Sequence, residues 1–333
     1  MSRVTVLGGG SWGTALAILL AQNGHTVVLW ARDEMLVEHL MHERENHHYL
    51  PGFPLPSNVN PTSSMSQACR QAQMLVIAVP CHAVREVMEL ASPMLPPSTI
   101  LLSAAKGLEA GTGLRMTELL REVAPAWSAH TAALSGPNLA VELARGAPTA
   151  GVVAAQSLDT ATAVQQLFSI QPTLRLYTST DTVGVELGGA IKNVIAIGAG
   201  ICDGLGLGDN AKAALMTRGL AEAVRLGIAK GAHANTFLGL SGVGDLVATA
   251  ASNLSRNHRV GYALGVGKTL PAALDEIGQI AEGVPTTRVI CKLASDADVE
   301  IPLCCGIESV LFENAPPHQV LESLMQRPLK TEV

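Results

Sequence analysis

Aromatic residues make up only 3% of the 333 positions, and lysine and arginine (22) are outnumbered by aspartate and glutamate (28), for a formal net charge of −6. A nucleic-acid surface needs a basic stripe and usually stacking aromatics, so that class of partner is set aside. Charge of either sign is also sparse, at 15% against 48% hydrophobic residues. Such a chain can bury a large core and does not read as disordered. The six cysteines, at 69, 81, 202, 291, 304 and 305, contain no C-x-x-C pair, and the adjacent Cys304 and Cys305 lack zinc-site spacing. Free thiols in a reducing compartment are expected. The histidines of HLMHERENHHYL (His39, His42, His47, His48) are expected on a solvated helix end running into a loop, with no metal bound. No uninterrupted apolar run of about 18 residues suggests a membrane span. The opening MSRVTVLGGG lacks the charged, apolar and cleavage regions of a secretory signal. A cytoplasmic location is therefore expected.

What the chain does contain is alternation of short apolar runs with helical segments. VTVLGGG (4 to 10) reads as a buried strand, SWGTALAILLAQNG (11 to 24) as a helix stopped by glycine, and HTVVLWA (25 to 31) as the next strand. Further strands are expected at 74 to 80, 99 to 107, 130 to 137, 150 to 155 and 174 to 179. This βαβ pattern predicts a largely parallel sheet covered by helices on both faces. Beyond DTVG (181 to 184), helical segments follow one another, with candidates at 185 to 202, 211 to 230, near Arg256 and at 285 to 297. The fold expected is an α/β Rossmann-like dinucleotide-binding domain over 1 to 183, followed by an all-α substrate domain over 184 to 333.

Gly8-Gly9-Gly10-Ser11-Trp12-Gly13 fits G-x-G-x-x-G between a strand and a helix. Gly8 permits the tight turn, Gly10 lets a pyrophosphate approach the backbone, and Gly13 lets helix and strand meet closely. Free N–H groups at the helix start face the anion. The second strand ends Leu29-Trp30-Ala31-Arg32-Asp33. Arg32 could bond a 2′-phosphate, which favours NADP(H), while Asp33 leaves NAD(H) open through the ribose hydroxyl.

The stretch GGAIKNVIAIG (188 to 198) holds a lysine, Lys192, whose helical neighbours three and four residues away are Gly188, Gly189, Ile195 and Ala196. No local carboxylate can pair with it. A lysine on a helix ordinarily carries its charge out to solvent, yet desolvation among apolar neighbours would also suit it to proton transfer near neutral pH. Lys106 follows a predicted strand, at the carboxyl end where open α/β sheets bind ligands. Asp245 precedes an apolar run, as a helix N-cap would, with Thr249 one turn further on the same face. Ser255, Arg256 and Asn257 open a helix as hydroxyl, guanidinium and amide, a plausible phosphate cradle.

The segments GGGSWGTA, NHHYLPGFPLP, AAKGLE, SGPNLAVELARGAPTA, the stretch from Gly189 to Asn210, LSGVGDLVATAASNLSRNHRVG and AEGVPTT together closely resemble, in order, the bacterial NAD(P)-dependent glycerol-3-phosphate dehydrogenases. That resemblance implies reversible hydride transfer between NAD(P)H and dihydroxyacetone phosphate, giving sn-glycerol 3-phosphate for phospholipid synthesis, by a homodimer. It implies that Lys192 is the general acid and base, that Asn193 orients the same oxygen, and that Lys106 is a second cation touching cofactor and substrate. It puts Asp245 and Thr249 in the catalytic site, with Asp245 as the distant carboxylate that Lys192 lacks locally, and Gly136, Asn138, Lys192, Asp245, Ser255, Arg256 and Asn257 at the substrate. Tyr49, Ala140, Arg256, Ile280 and Glu282 join Gly8, Gly10, Ser11, Trp12, Gly13 and Arg32 at the cofactor. Asn138 departs from the serine or threonine usual at its position. Two other readings are a non-catalytic dinucleotide-binding regulatory module and another Rossmann-plus-helical dehydrogenase acting on a hydroxy acid.

Overall fold

The computed structural model describes residues 2–169, 172–329, 331 and 332. It divides into two compact units, Met1–Glu109 with Leu114–Glu186, and Ala110–Gly113 with Leu187–Val333.

The described residues of the first unit form the strands β1 (Arg3–Leu7), β2 (Thr26–Trp30), β3 (Glu45–Asn46), β4 (Leu50–Pro54), β5 (Val59–Thr62), β6 (Met74–Ile77), β7 (Ile100–Ser103), β8 (Thr131–Ser135), β9 (Thr149–Ala155) and β10 (Leu174–Ser179). Its helices are α1 (Ser11–Gln22), α2 (Glu34–His42), α3 (Met65–Cys69), α4 (Val84–Ala91), α5 (Met116–Val123), α6 (Ala140–Ala144) and α7 (Leu158–Phe168). Eight strands form one sheet in the order β10-β9-β8-β7-β6-β1-β2-β5. Pairing is parallel from β5 across to β8, β8 and β9 are antiparallel, and β9 and β10 are again parallel. The sheet is thus largely parallel, with helices, as the apolar runs imply: all four residues of β6 are buried, as strands covered on both faces require. Val4, Val6 and Val76 join α1 in one core, while Leu7, Leu75 and Ile77 join α4 and α5 in another. From Gly13 to Ala21 every residue of α1 is buried.

Strands β3, β4 and β5 occupy a stretch that reads as loop. Pro51, Pro54, Pro56 and Pro61, with Gly52, interrupt any period there. Proline is tolerated at an edge, and β5 is the sheet's edge strand while β3 and β4 form a separate antiparallel pair.

The second unit is helical, with no strand among its described residues. The division between the units falls after Glu186, within α8 (Thr182–Gly204); α9 (Gly208–Ala229), α10 (Ala234–Phe237) and a π-helical turn at Leu240–Gly244 follow. Then come α11 (Asp245–Ala250), α12 (Arg256–Gly265), α13 (Leu270–Ile277), α14 (Gly283–Asp296), α15 (Pro302–Phe312) and α16 (Pro317–Met325). By length and composition α8 could cross a membrane, but its apolar window is wholly buried, the position of a core helix. Helices α8 and α12 meet through backbone. A Cβ on Gly200 would lie 2.0 Å from the His258 carbonyl oxygen, and one on Gly261 would lie 1.9 Å from that of Ile197. Only glycine permits this approach.

Candidate active site

In the first unit the glycine turn has the geometry that a dinucleotide requires. Gly8 has φ +125°, and a Cβ there would meet the Ala78 carbonyl oxygen at 2.6 Å. A Cβ on Gly13 would lie 1.9 Å from the Gly8 carbonyl oxygen, so these two residues set how closely β1, β6 and α1 approach. Gly10 is different: nothing lies within 4 Å of the place a Cβ would take. It is the N-cap of α1 and supplies no side-chain cap, and the first turn carries no acidic residue. Open space in front of uncapped N–H groups at a helix start fits an anionic diphosphate, so these residues fit NAD(P). Trp12, in the first turn of α1, packs half-buried against the core.

The hairpin of β3 and β4 is tied to this turn. The Ser11 hydroxyl donates to the Tyr49 carbonyl at 2.6 Å. Asn46, fully buried, donates to the Gly9 carbonyl and to the Thr14 hydroxyl, each at 2.8 Å, and its oxygen accepts from the Tyr49 N–H at 3.1 Å. Asn46 thus fixes the turn, a role with no periodic or spacing signal. His47 lies 3.0 Å from both Glu43 and Glu45. Among the described residues no group of three or more His, Cys, Asp or Glu could hold a metal ion.

At the end of β2 the two candidate cofactor-selecting residues divide their work. One oxygen of Asp33 accepts from the N–H groups of Met35 and Leu36 and so caps α2. Arg32 is exposed and paired at 3.0 Å with the equally exposed Glu86, a contact too solvated to hold it against a phosphate. Lys106, Gly136 and Asn138 come together after β7 and β8. The Lys106 ammonium donates to the Gly136 carbonyl at 2.8 Å and to the Asn138 side-chain oxygen. The asparagine therefore offers the lysine an acceptor where a hydroxyl would offer another. Gly136, at φ +120°, passes so close to β9 that a Cβ would sit 2.9 Å from Gly151 Cα. Ala140 begins α6 and contacts the core.

In the second unit Lys192 does not reach solvent: it is 7% exposed. Its Nζ lies 2.7 Å from Thr249 Oγ1 and 3.1 Å from Asp245 Oδ1, and the Thr249 hydroxyl lies 3.1 Å from the same carboxylate oxygen. The threonine accepts from the ammonium and donates to the carboxylate, closing a triangle of buried groups. The N-cap of α11 is Gly244, and Asp245 is the first residue of the helix. Ala250 and Ala251 follow on without a polar side chain. Burial favours a neutral amine, a neighbouring carboxylate favours an ammonium, and here both act on one nitrogen.

Asn193 extends a second network. Its oxygen accepts from Asn257 Nδ2 at 2.9 Å, and Asn257 Oδ1 accepts from the Gly283 N–H at 2.9 Å. Asn257 is buried and uses both ends of its amide within the framework, so it orients Asn193. Ser255 caps α12, its Oγ accepting from the His258 N–H at 3.2 Å; its own proton remains to be donated. Arg256 stands beside it with its side chain partly in solvent; burial of the guanidinium lowers it from its ordinary value, and the charge of Glu282, the N-cap residue of α14, opposes this. Ile280 is 42% exposed. Elsewhere in the same unit, Asp203 receives Lys212 at 2.9 Å and His258 at 2.7 Å. Burial pushes the Asp203 carboxyl up, but these two partners outweigh it and hold it below its ordinary value.

Residues 3–161 match the family model described as NAD-dependent glycerol-3-phosphate dehydrogenase N-terminus, and residues 181–322 match the model of the C-terminus. Two relatives, both glycerol-3-phosphate dehydrogenases [NAD(P)+], are 47% identical to this chain. That of Carboxydothermus hydrogenoformans aligns over 99% of this chain and 98% of its own length, and that of Moorella thermoacetica over 99% and 97%. The crystal structure of the glycerol-3-phosphate dehydrogenase from Coxiella burnetii is similar at 37% identity and a TM-score of 0.93, covering 98% of this chain and 99% of that one.

Proposed function

The chain belongs to the NAD-dependent glycerol-3-phosphate dehydrogenase family of oxidoreductases, and on that premise we propose how its own residues carry the reaction. The substrate pair is dihydroxyacetone phosphate and sn-glycerol 3-phosphate, and NAD(P)H supplies the hydride when bound. The ketone oxygen gains negative charge as the carbon is reduced, so a fixed cation that is also a proton donor lowers the barrier. Lys192 is that group. The observation that carries this reading is the buried triangle of Lys192, Thr249 and Asp245. Asp245 favours the ammonium and Thr249 fixes its direction, so the proton is held at Nζ until an oxygen with developing charge accepts it. In the reverse direction the same nitrogen takes the proton back.

Asn193, held by Asn257, donates to the same oxygen. Ser255 and Arg256 bind the phosphate at the start of α12, with Asn257 as their support, and Lys106 and Asn138 are further substrate contacts. Arg32 selects NADP(H) through the 2′-phosphate, since Asp33 is engaged as a helix cap. The enzyme acts as a homodimer in the cytoplasm, its product serving glycerophospholipid synthesis. A non-catalytic nucleotide-binding module would have no use for a buried lysine triangle.

The test is loss of nicotinamide absorbance when purified protein, NADPH or NADH, and dihydroxyacetone phosphate are mixed. Turnover is expected, and its absence with both cofactors sinks the reading. Lys192→Ala is expected to lower kcat by about 10²- to 10⁴-fold, the usual share of a general acid, with NADPH affinity nearly unchanged. A near-normal kcat would remove Lys192 from the chemistry.

A further inference from the structure

A phosphate site at the start of α12 can be no more fixed than the start of α12 itself. The chain that leads into it is mostly exposed at Ala251, Asn253 and Leu254. Its bonds run from the Ser255 N–H to the Ser252 carbonyl at 3.0 Å and from the Leu254 N–H to the Ser252 hydroxyl at 3.1 Å. They are local and hold the turn only to itself. Anchorage comes from the other side, through the first residues of the helix.

His258 is the third residue of α12 and is buried. Its N–H donates to Ser255 Oγ at 3.2 Å, which aims that hydroxyl and leaves its proton to be donated. Its carbonyl oxygen presses on α8 where a Cβ of any residue but Gly200 would stand. Its ring Nε2 lies 2.7 Å from Oδ2 of the half-buried Asp203, also on α8. A carboxylate can only accept, so Nε2 carries the proton and donates it. Gly200 and Asp203 are three residues apart and neighbours on one helix face, so that face grips both the backbone and the side chain of one residue. Asp203 is fixed in turn by Lys212 of α9, which donates to its two oxygens at 2.9 and 3.0 Å. Lys192 stands about three turns earlier on α8. One helix therefore carries the proton donor and anchors the phosphate site.

We propose that His258, held by Asp203, is a positioning residue for substrate binding, setting the direction of Ser255 and Arg256 toward the phosphate. The inference rests on the assignment of those two residues to the phosphate. His258 acts through them and is given no contact of its own with the substrate. The two buried networks on α8 then divide the work. Lys192, Thr249 and Asp245 govern the proton and hence the rate, while Asp203 and His258 govern how tightly a phosphorylated substrate is held.

The experiment measures initial rates against dihydroxyacetone phosphate at saturating NADPH for His258→Leu, Asp203→Ala, their double variant, His258→Gln and Arg256→Ala, with folding checked by circular dichroism. His258→Leu and Asp203→Ala should each raise KM for dihydroxyacetone phosphate roughly tenfold, the loss of about one charge-assisted bond. Their kcat should stay within about threefold of wild type, as for a group that binds ground state and transition state alike. The double variant should be no worse than the worse single one, because one tie is removed once. A glutamine amide can donate to Asp203 from near the place of Nε2, so His258→Gln should keep KM within about twofold. Asp203→Ala removes a half-buried side chain, so it tests the tie even if His258→Leu fails to fold. An unchanged KM in Asp203→Ala, effects that multiply in the double variant, a fall in kcat at constant KM, or a KM in His258→Gln as high as in His258→Leu would each overturn the proposal. Arg256→Ala separates its failure from that of the phosphate assignment. A raised KM in Arg256→Ala beside normal values in the His258 and Asp203 variants keeps the phosphate site and removes the tie. An unchanged KM in Arg256→Ala removes the phosphate site and the inference built on it.

Discussion

Thr249→Val tests whether the triangle around Lys192 is catalytic positioning or merely a buried ion pair. Valine keeps the volume and branching of threonine and removes only the hydroxyl, which lies 2.7 Å from Lys192 Nζ and 3.1 Å from Asp245 Oδ1. Hydrogen bonds to charged groups contribute about 1.5–3 kcal/mol each. The ammonium keeps its 3.1 Å contact with Asp245, so the charge pair survives but loses the second point that fixes its direction. If one such bond is lost from the transition state, kcat falls roughly ten- to a hundredfold at 1.36 kcal/mol per decade. Steady-state kinetics with dihydroxyacetone phosphate and NADPH should show that fall with KM for NADPH within about twofold, since the hydroxyl is assigned no cofactor contact. Thr249→Ser should recover most of the rate. Asp245→Asn combined with Thr249→Val should cost less than the product of the single effects, because both act through one nitrogen. A folded Thr249→Val enzyme with unchanged kcat would refute the positioning role, and strict additivity would refute the shared nitrogen.

Arg32→Ala should weaken NADPH roughly tenfold more than NADH, the loss of one charge-assisted bond. Its solvated pairing with Glu86 predicts almost no change in Tm; equal weakening of both cofactors in fluorescence titration would remove the 2′-phosphate assignment. Asp203→Asn should cost about 1 kcal/mol of stability at pH 7. The folded carboxyl titrates below its ordinary value of 3.8, so the wild-type advantage is present above that pH and lost as pH falls through the lower folded value. Urea unfolding of both proteins at pH 7 and in acid should show the gap closing, and a gap that widens in acid would contradict the sign.

The βαβ start was legible because strand, glycine turn and helix each leave a local mark: apolar runs with period changes, and glycines whose Cβ positions are occupied by backbone. The isolation of Lys192 was legible too, as a charge without a local carboxylate, and Thr249 and Asp245 stood out separately. That Asp245 is the distant carboxylate of Lys192 came only through the family resemblance, because Thr249 is 57 residues away in sequence and no spacing rule spans that distance. The placement of Asp245 also fits a helix N-cap, but Gly244 holds that position and Asp245 pairs with Lys192, since a buried ammonium needs the carboxylate more than a helix end does. At Ser255 the local rule does hold. Asn257 reads as a ligand-binding amide until its two ends are seen to bridge Asn193 and Gly283, and Asn46 sits in a proline-rich stretch where neither period nor turn chemistry marks a structural role.

Burying Lys192 and Asp245 together takes two charges out of water, and such pairs often return less by mutual attraction than their desolvation costs. Their burial is then explained by chemistry, and the trade can be measured. Lys192→Met alone leaves the 2%-exposed Asp245 without its cation and should destabilise by about 3–5 kcal/mol. Lys192→Met with Asp245→Leu removes both charges and fills similar space, so stability should return to the wild-type value or exceed it by about 1–4 kcal/mol, while turnover stays lost. Denaturant unfolding of the two variants beside the wild type decides it. If the double variant is no more stable than Lys192→Met, the pair contributes to the fold in its own right. If it regains stability without activity, the charges are retained at a structural cost, as a proton-transferring group would require and an ordinary core residue would not.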